Sequence, residues 1–287
     1  MSNALRLARG PFGRVALLDM DRPLVRHAHP HCHILLKVEG ADTQFAVGNR
    51  IVPLTDESAV LINAWEPHSY SHHQNQPATI ILALYIEPRW LGEFRPNWKA
   101  SGAPDFFTRS VDATSPAIRR LTRQLAEAMV HQPGGADEHE RLLADLMIAV
   151  IERFADWRGV PSSLRAAASA IIDPRIRKAV LWMQADPGAV SDMNSIAVAS
   201  GLSRAQFFRL FEASLGVSPR VYLNVLRLER AVIAVSDGTA SFTSVSQTLG
   251  FSVPAHFSRF FHDHAGSPPS TFRNVARLQS VDFETLR

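Results

Sequence analysis

The sequence predicts an α+β two-domain protein, in which a β-rich N-terminal domain with covering helices precedes an all-α C-terminal domain. Two observations predict this class. Short Val-, Ile- and Leu-rich runs broken by turn residues fill residues 12 to 87, whereas later segments have apolar residues at helical spacing. With 287 residues, the chain is long enough to form two hydrophobic cores.

Six segments of the N-terminal region have the composition of strands. They are RVALLDM, PLVRHAH, HILLKVEG, TQFAVGNRIV, SAVLINA and TIILALYI. Short strands at this spacing predict a sandwich or barrel. Two helices are expected next, over Ser115–His131 and Asp137–Trp157, and their apolar faces can cover the sheet, meet a second subunit, or do both.

The change of composition after these helices predicts the domain boundaries. Residues 158–172, RGVPSSLRAAASAII, form an Ala- and Ser-rich stretch that we interpret as a linker. Residues 1–157 and 173–287 are then the two domains. Asp173 and Pro174 have the residue types of a helix N-cap and first helical position, which predicts that the second domain begins with a helix.

The C-terminal region contains an internal repeat. Asp192, Ile196, Ala197 and Gly201 recur 49 residues later as Ser241, Val245, Ser246 and Gly250. Phe207, Arg209, Phe211, Gly216 and Pro219 recur 50 residues later as Phe257, Arg259, Phe261, Gly266 and Pro269. The change from 49 to 50 places one extra residue at the start of the second copy's second helix.

Each copy has the features of a helix-turn-helix unit. A capping residue begins a short helix, a small residue admits the partner helix, a glycine with positive φ forms the turn, and a serine begins the second helix. The paired residues are Ala197 and Ser246, Gly201 and Gly250, and Ser203 and Ser252. One such pattern is weak because helical hairpins are common, but two copies favour a tandem helix-turn-helix domain.

The second helix of each copy separates a core stripe from an outward face. Phe207, Leu210 and Phe211 share the stripe of the first copy. The outward faces combine cations for phosphates or guanine edges with small or apolar groups for thymine methyls, which favours DNA recognition. The residues expected to contact DNA are Ser203, Arg204, Ala205, Phe208, Arg209, Pro254, Ala255, Ser258 and Arg259.

A single long helix is expected between the copies. Ser218 caps it, Pro219 takes the first position, and 19 residues at about 1.5 Å each give a rod of roughly 28 Å. Such a rod can hold two recognition helices about one DNA turn apart, roughly 34 Å. Residues 175–273 also carry ten Arg and Lys against six Asp and Glu, so this region holds the positive charge of the chain.

The stretch Asp173–Arg273 resembles the DNA-binding domain of AraC/XylS-family transcriptional regulators. The resemblance lies in IAVASGLSRAQFFRLFEASLGVSPRVYLNVLRLERA and VSQTLGFSVPAHFSRFFHDHAGSPPSTFR. It implies that each recognition helix enters a major groove, with Arg209 and Arg259 at DNA-contacting positions. Ser246 departs from the usual alanine, and Phe208, Pro254 and Ala255 are poor hydrogen-bond donors where polar residues are frequent. The second copy is therefore expected to position on the DNA backbone more than it reads bases, and the first copy to discriminate more between sequences.

Histidines are concentrated in the N-terminal region, where seven of the twelve lie between His27 and His73. HAHPHCH places four at alternate positions, His27, His29, His31 and His33, and alternate side chains of a strand share a face. The imidazoles are therefore expected to converge. Cys32 has the opposite parity and is interpreted as a packing residue.

The same segment resembles the metal-binding pattern of cupins, which implies a cupin-like β-barrel with His27, His29 and His68 at histidine positions. His33 stands where the family usually has Glu. Three hypotheses stay open: a pocket for an organic effector, a site for a divalent transition metal such as Zn, Cu, Ni or Fe, or a histidine cluster with no role. The candidate pocket residues are His27, His29, His33, Trp65 and His68; Trp90 and Trp98 are further candidates, although core packing also accounts for each tryptophan.

Composition limits the cellular location and the partners that the sequence predicts. No apolar run approaches the roughly 20 residues of a membrane span, so no membrane partner is expected. MSNALRLARGPFGRV lacks the apolar core of a secretory signal, and Cys32 is the single cysteine, so we expect a cytoplasmic protein. The net charge of +3 is too small to indicate nucleic acid by itself.

We therefore expect a homodimeric, non-enzymatic transcriptional regulator that binds double-stranded DNA and a small-molecule effector and can contact RNA polymerase. No cofactor is required, although a metal in the N-terminal domain stays possible. One alternative is a metal-dependent cupin enzyme with an appended helical domain, with Glu66 and Tyr70 as acid–base candidates. The other is a structural DNA binder, which the modest net charge disfavours.

Overall fold

The fold is that of a computed structural model. The structure describes residues 3–10, 12–72, 76–87, 106–131, 136–154, 173–215 and 217–283. The predicted linker at 158–172 lies outside these ranges, as do Trp90 and Trp98. The predicted domain boundaries therefore stay predictions.

In the described residues, ten strands form two antiparallel sheets. The strands are β1 (Asn3–Gly10), β2 (Gly13–Met20), β3 (Leu24–His27), β4 (Cys32–Gly40), β5 (Thr43–Val47), β6 (Arg50–Leu54), β7 (Ser58–Ile62), β8 (His68–Ser71), β9 (Thr79–Ile86) and β10 (Val111–Ala113). The larger sheet has the order β1-β2-β9-β4-β7-β10, and the smaller has the order β3-β8-β5-β6.

The larger sheet faces two different cores, because successive side chains of a strand point to opposite faces. Ile34 and Leu82 belong to the core under helices α1 (Pro116–His131) and α2 (Ala136–Phe154). Leu35 and Ala83, one residue further along, belong to the core shared with the smaller sheet and the C-terminal helices. The predicted β-rich domain with covering helices is confirmed.

The predicted barrel is not closed. No ladder joins the two sheets within the described residues, because the chain crosses between them through segments such as 28–31 that are not part of a strand. The predicted strand PLVRHAH is therefore shorter than expected, because β3 ends at His27. TQFAVGNRIV is a hairpin and not one strand, with Gly48 at φ +55° in its turn. The sequence runs do not predict β1, β8 or β10.

Seven helices follow in the described C-terminal residues. They are α3 (Pro174–Ala185), α4 (Met193–Ala199), α5 (Arg204–Leu215), α6 (Pro219–Asp237), α7 (Phe242–Thr248), α8 (Pro254–Ala265) and α9 (Pro269–Phe283). The predicted caps are confirmed: the side chains of Asp173, Asp192, Ser218 and Ser241 accept hydrogen bonds from backbone N–H groups. No described helix combines the length and the apolar character that a bilayer span requires.

Helices α4–α5 and α7–α8 form the two helix-turn-helix units, joined by α6. Gly201 and Gly250 have φ of +69° and +76°, as the turns were expected to require. Residues 200–203 join the first pair and residues 249–253 the second, so the extra residue lies in the second turn.

The two units begin their second helices differently. Ser203 Oγ accepts from the Gln206 N–H at 3.3 Å, and Gln206 Oε1 accepts from the Ser203 N–H at 3.2 Å, which is a capping box. In the second unit the N-cap is Val253, which forms no side-chain cap. The prediction that Ser252 begins this helix is therefore wrong, because the extra residue moves Ser252 out of the capping position.

The N-terminal sheets and the C-terminal helices pack directly against one another. Helix α9 lies against strand β1, and the Arg9 guanidinium donates to the carbonyl oxygen of Val232 on α6 at 3.1 Å. Leu18 and Ile81 of the larger sheet share one buried apolar cluster with Phe261 of α8. A change on one side of this boundary therefore acts on packed groups of the other.

Candidate functional site

Five histidines lie buried where the chain passes from the smaller sheet to the larger one. His27 ends β3, His29 and His31 lie in the connection, and His33 lies in β4, while His68 begins β8 opposite His27. Each is between 2% and 6% exposed. The alternate histidines converge as expected, but they do so across a bend between two sheets and not along one strand.

Three of these histidines, His27, His29 and His68, form a possible metal-ligand group. The ring centroids of His27 and His68 are 4.4 Å apart, and those of His29 and His68 are 4.8 Å apart. One potential ligand nitrogen from each of the three lies within 4.8 Å of the other two. His33 stands outside this triad: its Nδ1 is 3.1 Å from His29 Nε2, and its ring stacks on Tyr85 at 4.1 Å.

The environment keeps the imidazoles neutral. Burial, followed by the charges of neighbouring imidazoles, lowers the pKa of His27, His29 and His33 well below 6.5. Burial also lowers the pKa of His68 to about 4. At neutral pH each ring therefore keeps a nitrogen lone pair, which can bind a metal ion or accept a hydrogen bond.

A narrow pocket at the domain boundary reaches this cluster. Both domains line it, and the lining residues are Arg14, Ala16, Leu18, His27, His29, Tyr85, Leu228, Glu229, Val232, His264, Ala265 and Phe272. Sequence reasoning missed Arg14, Tyr85, Glu229 and His264. Arg14 lies 4.0 Å from the Tyr85 ring centroid, so a cation and a phenol stand beside the imidazoles.

Two predicted or neighbouring residues have other roles. Of the predicted pocket residues, His33, Trp65 and His68 are not among those that line it. Trp65 stacks on Tyr222 of α6 with ring centroids 4.6 Å apart. His31 Nε2 lies 2.8 Å from Glu87 Oε1, and its Nδ1 lies 3.8 Å from Glu229 Oε1 of α6. Both residues thus connect the histidine segment to groups that the sequence pattern does not indicate.

The outward face of α5 presents the predicted residues of the first unit. Ser203, Arg204, Ala205 and Arg209 are exposed. Phe208 is half-buried, packed against the core of this unit, with the Arg204 guanidinium 5.0 Å from its ring centroid. The face therefore offers two cations and a hydroxyl, while the exposed edge of one ring remains for apolar contact.

The outward face of α8 is poorer in hydrogen-bond donors. Pro254, Ala255 and Arg259 are exposed, and Ser258 is half-buried. Arg259 occupies the position equivalent to Arg209, and neither arginine forms a salt bridge with the described part of the chain. Behind this face Ser246 is fully buried, and its hydroxyl donates to the carbonyl oxygen of Phe251 at 3.3 Å, so its departure from alanine leaves no unpaired group.

Comparison with known proteins gives two family matches. Residues 20–147 match the family described as the AraC-like ligand binding domain, and residues 196–274 match a helix-turn-helix domain. The HTH-type transcriptional regulator GbdR of Pseudomonas aeruginosa is 33% identical over 96 residues, which are 33% of this chain and 26% of GbdR. The probable transcriptional regulator LumQ of Photobacterium leiognathi is 23% identical over 274 residues, covering 93% of this chain and 98% of LumQ.

Coverage limits what these relatives say about the whole protein. The chain spans between 26% and 37% of the length of three curated relatives that it matches. Among solved structures, apo ToxT K231A from Vibrio cholerae has a TM-score of 0.54 at 13% identity, covering 91% of this chain and 97% of that one. Another ToxT structure, at 12% identity and a TM-score of 0.52, holds an unsaturated fatty acid. These similarities show a shared two-domain fold.

Proposed function

We propose that the chain is an AraC-like transcriptional regulator that binds operator DNA in response to a ligand, because it matches both an AraC-like ligand-binding domain and a helix-turn-helix domain. The observation that carries DNA binding is the matched pair Arg209 and Arg259. Both are exposed on helices joined through the 19-residue helix α6, a rod of roughly 28 Å. This spacing suits two recognition helices on one face of a duplex.

The ligand is assigned to the histidine pocket, because the pocket is lined from both domains. A ligand that touches both walls binds differently to different domain arrangements, and it therefore shifts their populations. An organic acid is one candidate, since Arg14 would pair with a carboxylate and ToxT holds a fatty acid. A metal ion is the other candidate.

The enzyme alternative finds little support at this pocket. Glu66 Oε2 accepts from the backbone N–H of Asn63 at 3.0 Å, and the Tyr70 hydroxyl donates to the carbonyl oxygen of Met20 at 3.3 Å. Neither group lines the pocket. The structural DNA-binding alternative would rest on many phosphate contacts, whereas the net charge is only +3.

The partners follow from the same proposal. We infer double-stranded DNA as the main partner and a homodimer as the working form, with contact to RNA polymerase on the promoter. A protein that binds chromosomal DNA acts in the cytoplasm of a bacterial cell.

Genomic fragment selection tests DNA binding. The wild type is expected to retain specific fragments over random DNA at moderate salt. Arg209→Ala/Arg259→Ala is expected to lose roughly 10-fold or more in affinity for them, whereas Arg177→Ala, an exposed arginine of α3, serves as control and stays near wild type. A wild type that retains no fragment better than random DNA would rule the proposal out.

A further inference from the structure

The histidine cluster presents ring nitrogens with lone pairs. A carbonyl oxygen only accepts hydrogen bonds, so an imidazole nitrogen bonded to one carries the proton. The Nδ1 atoms of His27, His29, His68 and His264 each donate to a backbone carbonyl oxygen, at distances from 2.8 to 3.1 Å. Each Nε2 is therefore the nitrogen with the lone pair, which is the arrangement of metal-bound histidines.

One of these lone pairs lacks any protein partner. His68 is 2% exposed, and within the described residues its Nε2 is buried without a hydrogen bond. Folded proteins rarely leave a buried polar atom unpaired, so such an atom calls for an unseen partner. A cation at this point would pair with it, and it would displace the His33 N–H from His29 Nε2.

The room in the pocket suits an ion better than an organic ligand. Between the lining residues there is space for roughly one water molecule. Leu228, Val232 and Phe272 close the C-terminal side, so a larger ligand would have to separate the two domains before it entered. A metal ion fits the space without separating the two domains.

The spacing of the imidazoles indicates which groups would form the site. Ligand nitrogens of a tetrahedral Zn²⁺ site lie about 3.3 Å apart, so the triad, now within 4.8 Å, would close by small ring rotations. The His264 ring centroid is 6.2 Å from that of His27, close to the 6.1 Å between His27 and His29. His264 lines the same pocket as His27 and His29, and it belongs to the recognition helix α8.

We propose that the regulatory ligand is a divalent transition-metal ion of the Zn²⁺ class, held by His27, His29 and His68 and completed by His264 from the DNA-binding domain. This inference rests on the proposed function and names its ligand. Because His264 lies on the same helix as Arg259, the bound ion fixes the second recognition helix against the N-terminal domain. Metal binding and DNA binding are then coupled, and each changes the affinity of the other by the same factor.

His33 is the competing fourth ligand. Its ring centroid is 4.8 Å from that of His29 and 5.6 Å from that of His68, and within the described residues its Nε2 is also buried without a hydrogen bond, but it does not line the pocket. His264 does line the pocket, and its Nδ1 bond to the carbonyl oxygen of Phe260 is compatible with binding through Nε2. The experiment therefore compares the two histidines directly.

Metal affinity is measured on the full chain after chelator dialysis, by competition with a chromophoric chelator for Zn²⁺. We expect one ion per chain, and a loss of more than roughly 100-fold in affinity for His29→Gln and His68→Gln. His264→Gln should weaken binding and change the Co²⁺ absorption spectrum by more than His33→Gln does, whereas the exposed control His256→Gln should leave both unchanged. Circular dichroism checks that each variant is folded.

Several outcomes would overturn the inference. They are the absence of stoichiometric binding by the folded wild type, a larger loss of affinity in His33→Gln than in His264→Gln, or equal losses in all variants including His256→Gln. DNA binding measured on the same metal-free and Zn²⁺-loaded samples separates the two proposals. Specific DNA binding without any metal binding would contradict the metal site and leave the proposed function intact. Stoichiometric metal binding without specific DNA binding would contradict the proposed function and leave the metal site intact.

Discussion

Trp65 and Tyr222 stack across the boundary between the two domains, with ring centroids 4.6 Å apart and ring planes inclined by 18°. Trp65 lies just after β7 at φ +66°, and its backbone N–H donates to the carbonyl oxygen of His29 at 2.7 Å. The Tyr222 hydroxyl accepts from Gln184 Nε2 at 2.8 Å. The stack therefore ties the histidine segment to helices α3 and α6.

Removal of this stack should weaken the boundary. Trp65→Ala is expected to lower the free energy of unfolding by about 1–3 kcal/mol, because the contact of half-buried Trp65 with buried Tyr222 is lost. Urea unfolding measures the change. Trp182→Ala is the control: that ring is 36% exposed, with Lys178 4.6 Å from its centroid, and its loss should cost less than about 1 kcal/mol. Equal costs in the two variants would show that the stack does not join the domains.

The two turn glycines should differ in their tolerance of alanine. Both have positive φ, so alanine costs about 1–2 kcal/mol at either position. A Cβ at Gly201 meets nothing within 4 Å, whereas a Cβ at Gly250 would lie 2.3 Å from the carbonyl oxygen of Gly188. Gly250→Ala should therefore be the more destabilising substitution in urea unfolding. If Gly201→Ala lowers the free energy of unfolding as much as Gly250→Ala does, the close approach of the Gly188 carbonyl oxygen to Gly250 is not what distinguishes the two turns.

The sequence predicts the helix-turn-helix region well because its signals are local. Caps such as Asp192 and Ser218 and the turn glycines act within a few residues of their own position, so the pattern contains most of the structure. Ser252 is the exception: a serine near a helix start indicates a cap, but one inserted residue shifts it out of reach. The wrong prediction thus comes from a one-residue difference between copies that otherwise repeat.

The ligand pocket is predicted only in part, because half of its wall is distant in sequence. Alternate spacing predicts that His27, His29 and His33 converge, although a bend between sheets, and not a single strand, brings them together. His264 and Glu229 come from about 200 residues further along the chain. No periodicity marks them, since their position depends on how the helical domain packs against the larger sheet.

Cys32 should report on opening of the N-terminal core. It is fully buried in the cluster under α1 and α2, and burial raises the pKa of its thiol to about 12. The thiol is therefore protonated and inaccessible at pH 8, so an alkylating reagent should label the folded protein very slowly and the urea-unfolded protein rapidly. Rapid labelling without urea would contradict this placement. Mass spectrometry follows the reaction unambiguously, because the chain has one cysteine.

The two recognition helices should divide their work unequally. Arg209 shares its face with Arg204 and the partly exposed ring of Phe208, whereas Arg259 is accompanied by Pro254 and Ala255, which offer no side-chain donor. Arg209→Ala should therefore relax base preference in one half of the operator and cost about 1–3 kcal/mol of specific binding. Arg259→Ala should weaken binding to all sequences alike and reduce the salt slope by about one. Selection from randomised duplexes, with affinities measured across a salt series, distinguishes the two effects; a loss of base preference in Arg259→Ala alone would reverse the assignment.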